Sequence, residues 1–129
     1  MNRKLDLAVI DVERGSDYPP PFDAPCRDIE RKRLGDAAGL SQFGVNLLHL
    51  PPGTWSSQRH WQIASDEFVY VVSGEVVLIT DTGEETLRAG DAAGFKAGIP
   101  YRTAARRRHW SSRSARGFPA TVATTRTST

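Results

Sequence analysis

The chain has a single cysteine, Cys26, so no disulfide framework can staple it, and a reducing cytoplasm is the expected location. No motif surrounds Cys26, which therefore reads as an ordinary loop thiol rather than a nucleophile. No apolar run approaches the ~18 residues that a membrane-spanning helix needs. Asp6 and Asp11 interrupt the opening MNRKLDLAVIDVERG, so it does not read as a signal peptide. Helical periodicity is missing throughout. Acid is missing from the end of the chain: residues 101–129 hold seven arginines and no Asp or Glu, a balance of +7. Residues 1–100 hold 10 basic and all 15 acidic residues, a balance of −5, so the formal net charge of +2 conceals a mildly acidic body and a basic end. At 129 residues the chain can bury a core as one domain.

What is present is a series of short strand patterns. Residues 5–12 (LDLAVIDV) are expected to form a first strand, although their apolar residues split between two faces. Tyr18-Pro19-Pro20-Pro21-Phe22 must be extended, because proline fixes φ and biases its predecessor away from helix. The charged run Arg27–Arg33 reads as a solvated strand edge or short turn. Gly35, Gly39 and Gly44 space out a loop before a strand at Val45–Leu50, in which His49 reads as a packed or hydrogen-bonded residue. Beyond the break at Pro51-Pro52-Gly53, strands are expected at Glu67–Val72, at Glu75–Thr80, from the Asp81–Glu84 turn through Leu87 and Arg88, and at Ala92–Phe95. Short strands at near-regular spacing with glycine turns define an all-β barrel or sandwich.

One group in this pattern could carry chemistry. His60 and Gln62 lie two residues apart, so on a strand they share a face. Glu67 follows a polar turn, Ala64-Ser65-Asp66, and can face the same interior if the two strands pair. The competing reading is a metal-free polar pocket in which Gln62 hydrogen-bonds His60 or Glu67. Trp55, Trp61, Phe68 and Tyr70 read as barrel packing or dimer contact, and Arg59 as a surface or interface charge.

Gly53, His60-Trp61-Gln62, Glu67 and Gly74 resemble the first motif of the cupin superfamily, with Gln62 in place of the usual second histidine. Gly90-Asp91 and Lys96-Ala97-Gly98 resemble part of the second motif. Lysine replaces its proline, and Tyr101 stands nearest the place of its histidine. More closely, YPPPF, LGDAAGLSQFGVN, SSQRHWQ and DEFVYVVSGE resemble a group of small bacterial single-domain cupins of largely unknown function. The resemblance implies a double-stranded β-helix, or jelly-roll barrel, of the RmlC-like kind. It also implies a small-molecule pocket, a homodimer, and a divalent transition metal (Fe, Mn, Ni, Zn or Cu) held by His60, Gln62 and Glu67. The lack of a membrane-length apolar run and the solvated reading of the charged segments lead to the expectation of no membrane partner and no specific nucleic acid. Cupins include enzymes, binding proteins and sensory domains, so the resemblance leaves open a metal-dependent enzyme and a metal-free binding or sensory protein.

The expected organisation is an N-terminal strand and extended brace at 1–44, a barrel core at 45–100, and an Arg/Ser/Thr-rich tail at 101–129. With no Leu, Ile or acid, the tail is expected to be disordered and the barrel to lack its last strands. RRRHW could bind nucleic acid or phosphate non-specifically, as the weaker alternative. The favoured explanation is a frame shift: read from each third codon base, His109-Trp110 yields leucine, and Thr124–Thr129 permits an acidic end. On that reading the product is truncated and its barrel open along one edge. Sequencing the gene across codons 98 to 129 decides the point.

Overall fold

A computed structural model of the chain describes residues 4–15, 20, 24–56, 65–99, 101–105 and 119–127. The strands are β1 (Glu13–Arg14), β2 (Glu30–Arg33), β3 (Phe43–Leu50), β4 (Glu67–Ser73), β5 (Glu75–Thr80), β6 (Gly83–Arg88), β7 (Ala92–Phe95), β8 (Arg102–Ala105) and β9 (Ala120–Thr127). One four-residue helix, α1 (Leu34–Ala37), precedes β3. The strands form two antiparallel sheets, β1-β2-β3-β9-β4-β7 and β6-β5-β8, the all-β architecture expected.

Alternation builds the core. On β4, Glu67, Val69 and Val71 are buried while Phe68, Tyr70 and Val72 are exposed, as period-2 geometry requires of a sheet with one covered face. Ile29, Leu48, Leu50, Val69, Val71, Ala120 and Val122 meet Val76, Leu78, Leu87 and Ala105 of the second sheet in one hydrophobic cluster. The β4–β5 hairpin turns at Gly74, whose φ of +75° suits glycine. A Cβ there would also strike the Pro119 carbonyl oxygen and lie 2.9 Å from Ala120 Cα, so the hairpin packs directly on the start of β9.

Two expectations are corrected. Residues 5–12 are not a strand: Leu7–Val9 form a 3-10 turn. The Asp6 side chain caps this turn, accepting from the Ala8 N–H at 3.0 Å. With apolar residues on both sides no single face can be buried, and Val9 is 76% exposed. The last strands are not missing either. Residues 102–105 and 120–127 are β8 and β9, and β9 lies between β3 and β4, paired with β3 from Ala120 to Thr127 and with β4 from Thr121 to Arg126. Composition averaged over 29 residues concealed this. The segment Ala120–Thr127 turns Ala120, Val122, Thr124 and Arg126 inward and is rich in threonine and valine, residue types that suit a central strand whose backbone is paired on both sides. Pro100 and residues 106–118, including RRRHW, lie outside the described residues, as does most of the proline brace.

Candidate functional site

Glu67 opens β4 with its side chain turned inward, 9% exposed. Register then decides its neighbours. Phe95 of β7 lies across from Glu67 on one side and Arg126 of β9 on the other. Arg126 Nη2 approaches Glu67 Oε1 to 2.5 Å. The third neighbour comes from the loop after β7. Asp66 Oδ1 accepts the Ala97 N–H at 2.9 Å, tying that loop to the start of β4. Tyr101 follows the loop, its ring stacked on Phe95 with centroids 3.7 Å apart and planes 8° from parallel. From there the Tyr101 hydroxyl donates to Glu67 Oε2.

Burial, the hydrogen bond to Glu67 and the carboxylate's charge push the Tyr101 phenol well above its ordinary range, with Arg126 opposing. Tyr101 therefore remains a donor through neutral and mildly alkaline pH. Glu67 Oε1 receives no well-formed hydrogen bond from any described residue, even though Arg126 is close, so the guanidinium acts on it as a charge rather than as an aligned donor. Gly44 of β3, across from Arg126, places no side chain beside it, and Arg126 remains 63% exposed while Glu67 is nearly enclosed. The result is a carboxylate at the end of the core with a phenol on one oxygen and a solvent-facing cation at the other.

Of the expected ligand set, Glu67 is placed inward as foreseen, whereas His60, Gln62, Trp61 and Arg59 lie outside the described residues. The segment leading to them is in position: Gly53–Ser56 run antiparallel beside β8, with Ser56 N–H donating to Thr103 O at 2.7 Å and a bridge between Trp55 and Ala104. Trp55 carries the Arg102 guanidinium 3.4 Å from its ring centroid. Phe68 and Tyr70 point outward, which rules them out as barrel packing. His49 is half-buried with Nδ1 3.4 Å from Thr121 Oγ1, as expected of a strand residue.

Tested against these surroundings, a divalent cation does not fit the carboxylate as it stands. Oε2 is engaged by Tyr101, and a guanidinium already sits at Oε1. Among the described residues no three His, Cys, Asp or Glu side chains gather as a ligand set. Arg126 and Phe95 were not foreseen as site residues. Tyr101 was legible only as the residue nearest the absent histidine. Arg126 gave no local signal, since its place depends on a cross-strand register set 59 residues away from Glu67. A separate groove, lined by Leu5, Val9, Ile10, Glu13, Arg33 and Ala37, lies between the N-terminal segment and α1, away from Glu67.

Residues 46–108 match the family model described as the cupin domain. A sugar phosphate isomerase from a cupin superfamily of Silicibacter pomeroyi is 42% identical, with a TM-score of 0.84 over 98% of this chain and 76% of that one. Two more distant structures share the fold. The polyketide cyclase RemF of Streptomyces resistomycificus is 15% identical, with a TM-score of 0.73 over 98% of this chain and 80% of its own. A cupin 2 conserved barrel domain protein of Rhodopseudomonas palustris is 13% identical, with a TM-score of 0.70 over 98% and 79%. No curated protein matches. The chain belongs to the cupin superfamily. Among the described residues no helix is long and apolar enough to cross a membrane.

Proposed function

We propose that this cupin binds a small anionic metabolite of the sugar-phosphate class in the mouth of its barrel, in the cytoplasm. The observation that carries the reading is the convergence of Glu67, Tyr101 and Arg126 from three separate elements at the end of the core. A ligand hydroxyl would compete with Arg126 and Tyr101 for the Glu67 carboxylate, whose Oε1 meets the guanidinium and whose Oε2 accepts from the phenol. An anionic group pairs with the solvent-facing part of the Arg126 guanidinium, whose planar fork suits phosphate. The name of the 42% identical relative supports the same ligand class. Thermal unfolding with a panel of sugar phosphates and the matching unphosphorylated sugars tests this. A phosphorylated member should raise Tm, with about 2.7 kcal/mol of stabilisation at a hundredfold excess over Kd. Arg126→Gln should abolish the rise. No shift from any member at millimolar concentration would end the reading, and proton NMR of a stabilising ligand would report whether it is also turned over.

A divalent metal on His60, Gln62 and Glu67 is the alternative, and it requires Arg126 to leave Oε1. Imidazole, amide oxygen and carboxylate would be its donors, and the ion would supply Lewis-acid chemistry. Elemental analysis of the purified protein, with and without Gln62→His, distinguishes the two: no metal in either protein counts against this alternative.

The second copy of a homodimer belongs, on this proposal, against the outer face of the larger sheet. Phe43, Phe68, Tyr70 and Val72 project from that face at 42–48% exposure each. Light scattering should give a dimer mass that Phe68→Glu reduces to a monomer, and a monomeric unsubstituted chain would exclude it.

A further inference from the structure

We infer that Arg126 is the resident cation at the end of the core, standing at Glu67 where a metal ion would otherwise be held, and that a divalent ion can bind there only by displacing it. Three features point the same way. Arg126 is the direct cross-strand partner of Glu67, so its backbone cannot move away without breaking the β4–β9 pairing. Its Nη2 lies 2.5 Å from Oε1, and the charge is permanent, because an arginine does not deprotonate in a protein. Tyr101 donates to the other oxygen, leaving neither lone-pair set of the carboxylate without a positive or donor neighbour. Glu67 is only 9% exposed, so the repulsion between the guanidinium and an incoming ion acts at a part-buried carboxylate, although Arg126 itself, 63% exposed, is partly screened by water.

The inference does not depend on the ligand class proposed above, since it concerns metal ions alone. Titration with Co2+, followed by calorimetry and by its visible absorption, should show weak binding to the unsubstituted chain and to Arg126→Lys. Arg126→Gln should bind Co2+ at least about tenfold more tightly, as expected for removing one unit charge near a part-buried site. The gain should vanish when Glu67→Gln is added. Equal affinity in the unsubstituted chain and Arg126→Gln would overturn the inference, and so would a gain that survives Glu67→Gln. Thermal melts confirm that each variant is folded. If Arg126→Gln is not, Arg126→Thr, a residue type β9 already carries at Thr124, replaces it in the same comparison.

Discussion

The β4–β9 strand pair contains two different environments on one face. Its inward cross-strand pairs run Val71–Val122, then Val69–Thr124, then Glu67–Arg126. At the first pair both side chains are fully buried; at the last, a buried carboxylate meets an arginine that is mostly in water. The backbone pairing is the same at both ends, so the contrast lies in the side chains. The apolar end supplies stability through burial. The charged end adds little, because the Coulomb gain of a half-exposed pair is offset by desolvating the carboxylate. A polar cluster that contributes little to stability and sits beside solvent is where binding is expected.

The contrast can be broken most severely at the apolar end. Val122→Asp places an unpaired charge in the core and should cost about 3–5 kcal/mol, read as a large fall in the urea midpoint. Gly74→Ala should cost about 1–3 kcal/mol, because the backbone there is left-handed and the added Cβ meets β9. At the polar end the effects shrink. Tyr101→Phe should cost about 0.5–1.5 kcal/mol at pH 7. It should also flatten the stability profile at alkaline pH. The folded-state pKa of Tyr101 is raised, so the unfolded chain loses its phenolic proton first, at the ordinary value of about 10. The contribution is therefore complete below pH ~10 and is lost as pH rises further. Denaturant titrations at pH 9, 10 and 11 should show the unsubstituted protein falling faster than Tyr101→Phe. The smallest effect is the Glu67–Arg126 coupling itself. A double-mutant cycle with Glu67→Gln and Arg126→Gln should give about 1 kcal/mol or less. A coupling above about 3 kcal/mol would make the pair a structural element and remove the distinction between the two ends.

Cys26 agrees with its bland reading but in a different setting. It ends the 3-10 turn Ala24–Cys26 and is fully buried, and burial pushes its thiol up, so it should stay unmodified by iodoacetamide until the protein unfolds.

Alternation and turn chemistry in the sequence determined most of the barrel. β4, β5 and β7 fall within a residue of where period-2 patterning and the glycine turns put them, because local sterics and burial act on neighbours along the chain. The inward direction of Glu67 was legible for the same reason. The site around it was not. Arg126 reaches Glu67 only because β9 is inserted between β3 and β4, and Tyr101 only because Phe95 and Asp66 hold its loop. A segment dismissed on average composition became a central strand once two neighbours offered paired backbone, a long-range effect that no local pattern records. Local physics in the sequence thus settled which residues face inward, and tertiary register alone decided which of them meet.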